Sequence, residues 1–160
     1  MFDWLTGTVA GKMIATFFIS MMPIGELRFG LPYGIALGLE YPLALMSALL
    51  GNMVPVPFII VYIKRIFAWM RMHMPVFNSF ITKLEQKADL KGETVEKYGP
   101  IALLLFVAIP LPGTGAWTGA LVAAFLNMKT ETAVPYIMLG VCIAAMIMTL
   151  VTYGVIHIVL

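Results

Sequence analysis

Two ionisable residues stand where a membrane-like sequence has little room for them. In "MPIGELRFGLPYG" the carboxylate of Glu26 and the guanidinium of Arg28 lie two residues apart between Pro23 and Pro32, with apolar sequence on both sides. A charge at bilayer depth costs on the order of 3 kcal/mol on insertion scales, so such residues are functional candidates by default. On a helix the pair would point to different faces; in extended chain it would share one. The flanking prolines favour the extended arrangement, with Arg28 placed to neutralise Glu26 or to hold an anionic group. Burial and a neighbouring cation act in opposite senses on a carboxyl's protonation, which makes Glu26 a candidate proton carrier. The plainer alternative is a pair that only locks a turn or anchors it at the membrane surface.

A second interruption, "IPLPGTGAWTG", brings Pro110, Pro112, Gly113, Thr114, Trp117 and Thr118 into another apolar block. Together with Asn52 these residues can complete a polar midplane site, Trp117 offering its face to a cation or a lipid. Each also has a structural use: Trp at an interface, Thr bonded to its own helix, Asn as interhelical glue. His73 and His157 read as interfacial, and Cys142, inside an apolar run, as an inert thiol. The chain has no HExxH, acid cluster, serine elbow or phosphate loop, so neither an enzyme nor a bound cofactor or metal is expected.

Composition sets what must position these groups. Of 160 residues 61% are hydrophobic and 11% charged, with a mean hydropathy of +0.97, which marks an all-α integral membrane protein. A net charge of +2 argues against nucleic acid. The start "MFDWLTGTVAGK" reads as no removable signal peptide. After an N-terminal segment, 1–12, four apolar blocks follow at 13–39, 42–63, 100–128 and 132–160. Blocks 42–63 and 132–160 are long enough to span. The other two break near their middles into halves of about ten residues, each rising ~15 Å, which suits re-entrant hairpins; kinked full crossings are the alternative.

The linker 64–99 carries seven of the ten Lys and Arg residues: Lys64, Arg65, Arg71, Lys83, Lys87, Lys91 and Lys97. The positive-inside rule puts it in the cytoplasm. Phe77, Phe80, Ile81 and Leu84 make an apolar helical stripe there, and Trp69 is a candidate surface anchor. The expected plan is one membrane domain with repeats 13–63 and 100–160, inverted so that two hairpins enter from opposite faces. So few crossings per chain imply a homodimer.

"PIGELRFGLPYGIALGL" with "KYGPIALLLFVAIPLPGTGAWTGALVAAFLNM" resembles the small multidrug export protein family, which is similar to the DedA superfamily. The likeness runs from about Ser20 to the final span. It implies paired re-entrant hairpins, a multi-pass inner-membrane location, membrane lipids as partners and transport of a small molecule. DedA relatives imply instead a proton-linked flippase or scramblase for polyprenyl-phosphate or other lipids. By position Glu26 matches the acidic residue of the first hairpin and Pro110 the proline of the second. Where DedA proteins carry arginines beside that proline, this chain has Val107 and Gly113, leaving Arg28 as its deep cation. A non-transporting membrane adaptor acting through the linker is a third expectation.

Overall fold

A computed structural model describes residues 2–83, 85–86, 98–111 and 114–159. Leu84, Lys87, Lys91, Lys97, Pro112, Gly113 and the side chain of His157 lie outside the described residues. Every regular element among the described residues is helical: α1 (Phe2–Gly7), α2 (Val9–Met21), α3 (Glu26–Ala36), α4 (Tyr41–Met53), α5 (Pro55–His73), α6 (78–83), α7 (Pro100–Ala108), α8 (Ala116–Phe125) and α9 (Thr130–Val159).

Block 13–39 becomes α2 and α3, and block 100–128 becomes α7 and α8. Only Val54 separates α4 from α5, because prolines 55 and 57 sit in the first turn of α5, where their missing N–H groups cost little. The result is an apolar element from Tyr41 to His73, which continues beyond the expected end of the span at residue 63. Among the described residues, it and Thr130–Val151 are the two helices long and apolar enough to cross a membrane.

The expected extended stretch around Glu26 is helical instead. The break is taken up by Met22–Gly25, the Glu26 N–H donates to Met22 O at 3.0 Å, and α3 starts there with Glu26 left-handed at φ 46°. Pro32 lies inside α3, where it removes the single helical bond to the Arg28 carbonyl. Glu26 and Arg28 therefore point to different faces, and no ion pair joins them among the described residues.

The packing is inside-out compared with a water-soluble bundle. Ala44, Ala48, Ala116, Ala120, Ala123 and Ala133 are buried, while Phe18, Phe29, Phe58, Met146 and Leu150 are exposed. Small residues let helices approach closely where lipid makes burial of large ones unrewarding. At two crossings nothing larger than glycine fits: a Cβ on Gly51 would strike the Phe17 carbonyl of α2, and one on Gly140 would lie 2.7 Å from the Leu104 carbonyl of α7.

Helices α3 and α8 leave the interior toward opposite ends of the α4–α5 element. The chain leaving α3 turns at Gly38 (φ 76°), Leu39 N–H donating back to Gly34 O at 3.0 Å, and enters α4 at Tyr41. The chain leaving α8 turns in the same way at Asn127 (φ 53°), with Met128 N–H donating to Ala123 O at 2.9 Å. This second turn lies beside Lys64, which donates to Asn127 Oδ1 at 2.8 Å and to Phe125 O at 3.3 Å. Roughly 23 residues of helix, ~35 Å, separate Tyr41 from Lys64. Helix α9 runs back, so that Thr149 Oγ1 meets Tyr41 Oη at 2.8 Å. In the linker Ile81 is buried whereas Phe77, Phe80 and Trp69 are exposed, and Arg71 pairs with Glu85.

Candidate functional site

The two interrupted turns clasp each other at the N-terminal ends of α3 and α8. Arg28 reaches from the first turn of α3 into the second break, donating to Leu111 O at 2.7 Å, Ile109 O at 3.3 Å and Thr114 Oγ1 at 2.8 Å. Thr114 shapes that loop: its hydroxyl can donate to Ile109 O (2.7 Å) or Leu111 O (2.8 Å), and it accepts from Leu111 N–H at 3.2 Å. Irregular backbone at membrane depth needs such partners, since each unsatisfied group there costs several kcal/mol.

Glu26 completes the clasp. It is 6% exposed, and its Oε1 accepts from Trp117 N–H at 3.2 Å, in the first turn of α8. An anion at a helix N-terminus is stabilised by the unpaired N–H groups and the helix dipole. The Trp117 indole returns the contact, donating to Met21 O at the end of α2 at 3.1 Å. Gly115 makes room for the carboxylate, since a Cβ there would collide with it, and at φ 134° a side chain is disfavoured in any case.

An open cleft of about 620 Å³ borders the clasp. Its walls join Glu26, Arg28, Thr114 and Thr118 to the apolar Ile24, Phe29, Leu111 and Met148, with Pro23 and Pro110 at the turns. On the other side of Glu26 lies a small half-open void of about 10 Å³, lined also by Asn52, Gly115 and Val141. Asn52 is 2% exposed, and its Oδ1 has no hydrogen-bond partner among the described residues.

The structure thus brings Glu26, Arg28, Asn52, Pro110, Thr114 and Trp117 together. Pro112 and Gly113 fall outside the described residues. Arg28 spends its guanidinium on the second turn rather than on Glu26. Sequence reasoning passed over Thr16, Ser20 and Ser47, which are buried at 0%, 0% and 4% exposure. The spacing of Lys12, Thr16 and Ser20, one face of α2 at four-residue steps, was the available signal.

Comparison with known families adds to this geometry. A family profile described as "Putative small multi-drug export protein" matches residues 26–147, well over half of the chain. The chain belongs to this family. The matched region of this small multi-drug export family member starts at Glu26 and takes in Arg28, Asn52, Thr114 and Trp117. No curated protein and no solved structure matches the chain. Family membership and the two long apolar helices mark a membrane protein of a transport family.

Proposed function

We propose that the protein is a multi-pass secondary transporter of the inner membrane, not an enzyme, which exports a small amphipathic substrate in exchange for protons and acts as a homodimer. The observation that carries the reading is the buried Glu26 carboxylate on the wall of a half-open, mostly apolar cleft, held by the N-terminus of α8. Protonation of that carboxylate would weaken its bond to Trp117 N–H and change the charge of the cleft, so proton and substrate compete for one group. The apolar walls suit the body of an amphipathic molecule, and Thr114 and Thr118 its polar groups.

Paired re-entrant hairpins in an inverted repeat fit this mechanism, because they set the site at the midplane between two mobile halves. In support, one constant shift along the sequence carries Glu26 onto Gly115 and Gly38 onto Asn127, all four left-handed. The same shift carries Gly30 onto Gly119 and Gly51 onto Gly140. Further support comes from Lys64 at the start of the linker: its bond to Asn127 brings the α8–α9 turn beside the linker, the side to which a hairpin would return. The lipid-phosphate alternative gains nothing comparable, since Arg28 is engaged by carbonyls and Thr114.

Ethidium efflux from proteoliposomes under an imposed pH gradient tests the reading. Glu26→Gln, which keeps an oxygen for Trp117 N–H, should abolish the gradient-driven component; unchanged efflux removes Glu26 from the mechanism. Topology is read with a single cysteine at Lys129 in a Cys142→Ala background. Labelling by an impermeant maleimide only after cells are opened agrees with the hairpins, and labelling of intact cells overturns them.

A further inference from the structure

Away from the clasp, "WMRMHMP" gathers Trp69, Met70, Met72, His73 and Met74 at the end of α5, just beyond Lys64. These methionines contribute little to the core: Met72 is 73% exposed, Met74 is 43% exposed, and Met70 is half-buried. Helical spacing sorts them. His73 and Met74 follow Met70 by three and four residues and so share one patch of the helix surface with it, whereas Met72 lies about 200° round from Met70. Met74 is the C-cap, and its N–H donates to Met70 O at 2.7 Å, which stacks its backbone one turn above Met70.

The helix itself orients His73. Its Nδ1 lies 3.0 Å from Trp69 O, and its ring stacks on the Trp69 indole with centroids 4.9 Å apart at 22°. A carbonyl only accepts, so Nδ1 carries the hydrogen and Nε2 of the neutral ring keeps its lone pair. A main-chain carbonyl holding Nδ1–H is the arrangement in which Nε2 serves as a metal ligand. No hydrogen bond takes up Nε2 among the described residues.

One imidazole and two thioethers make a soft, uncharged donor set. Thioethers select monovalent copper and its analogue silver, whereas zinc, magnesium and calcium call for thiolates, several imidazoles or carboxylates. No group of three His, Cys, Asp or Glu side chains gathers among the described residues to offer those ions a site. The motifs whose absence argued against a metal are those of harder ions and of enzymes, and a thioether site lies outside them. Arg71, next to Met70 in the chain, pairs with Glu85, which offsets its charge.

We propose that Met70, His73 and Met74 form a binding site for one monovalent soft cation, Cu(I) or Ag(I), through their two Sδ atoms and Nε2. The held imidazole fixes the position of the metal, and the flexible thioether arms close on it. Binding ties the last turn of α5 to its cap, where the chain turns at Pro75 into the linker. The site stands apart from Glu26 and does not rest on its role as proton carrier.

Full-length Cys142→Ala protein, which lacks the chain's one thiol, is titrated in lipid nanodiscs with Ag(I) and, anaerobically, with Cu(I) against the chelator bicinchoninate. Methionine carrying ¹³C in its methyl group reports the thioethers directly, each signal being assigned by its loss in the corresponding Met→Leu variant. One equivalent of metal should bind, shift the Met70 and Met74 signals and leave that of Met72 in place. Met70→Leu, Met74→Leu and His73→Gln should each weaken binding by about tenfold or more, while Met72→Leu leaves it unchanged. Met→Leu conserves volume, and methyl signals elsewhere in the chain that keep their positions show that the fold is intact. Absence of a bound equivalent overturns the site, as does an affinity untouched by Met70→Leu and His73→Gln. A loss as large in Met72→Leu, or displacement of Ag(I) by an equal amount of Zn(II), also overturns it.

Discussion

The two halves of the molecule share a backbone plan and differ in what fills it. Thr16, Ser20, Glu26, Ser47 and Asn52 are the buried polar residues among those described, and all five belong to the first half. At the positions reached by the same shift the second half has Leu105, Ile109, Gly115, Tyr136 and Val141, of which only Gly115 and Val141 are buried and only Tyr136 carries a side-chain polar group. In the proposed plan two opposed hairpins follow one backbone course, and the chemistry is loaded onto the first. The apolar half supplies instead what the polar half needs, a helix N-terminus for Glu26 and carbonyls for Arg28.

That division is most sharply broken at the related left-handed pair. Gly115→Val drives a branched side chain into Glu26 at a φ that such residues avoid, and should cost about 3 kcal/mol or more, seen as loss of monodisperse protein. Its counterpart Glu26→Gly relieves strain and should fold, yet lose gradient-driven efflux; if both variants behave alike, the halves do not divide structure from chemistry as described. Arg28→Met strips the second turn of its cross-half donors and should lower stability by roughly 2–4 kcal/mol in thermal unfolding. Trp117→Phe removes only the indole bond to Met21 O and should cost about 1 kcal/mol. The smallest effect is expected at two buried residues, Ser20 in the first half and Val107 in the second. Ser20→Ala deletes a buried hydroxyl without a partner and should be neutral or stabilising by up to ~1 kcal/mol, whereas Val107→Ala should destabilise by about 1–2 kcal/mol.

Much of this was legible in the residues. The two interruptions, the cost of Glu26 and Arg28 in lipid, and the polar character of Thr114 and Trp117 pointed to the clasp before any coordinates. The helical state of α3 was not legible, because Pro32 signals a break while inside a helix it forfeits one hydrogen bond, here to the Arg28 carbonyl. The partners of Arg28 were equally hidden: they are mainly main-chain oxygens, and a carbonyl has no residue type to announce it. The plan of two repeats was read from the blocks, but its residue register escaped because buried apolar residues interchange freely. Leu31 aligns with Ala120 and Ala48 with Ile137, so likeness persists only where backbone geometry demands it, as at Gly51 and Gly140.

The clasp also sets a timetable for biogenesis. Arg28 and Glu26 find their partners 81 to 91 residues further along the chain. At synthesis rates of about 5–20 residues per second, the α2–α3 segment exists for roughly 4–20 s before those partners have been made. During that interval a guanidinium and a carboxylate sit in a nascent pair of helices with neither the second turn's carbonyls nor the amide of Trp117 to receive them. The α2–α3 segment is therefore a natural client for the insertion machinery or a membrane chaperone, released when residues 109–117 arrive.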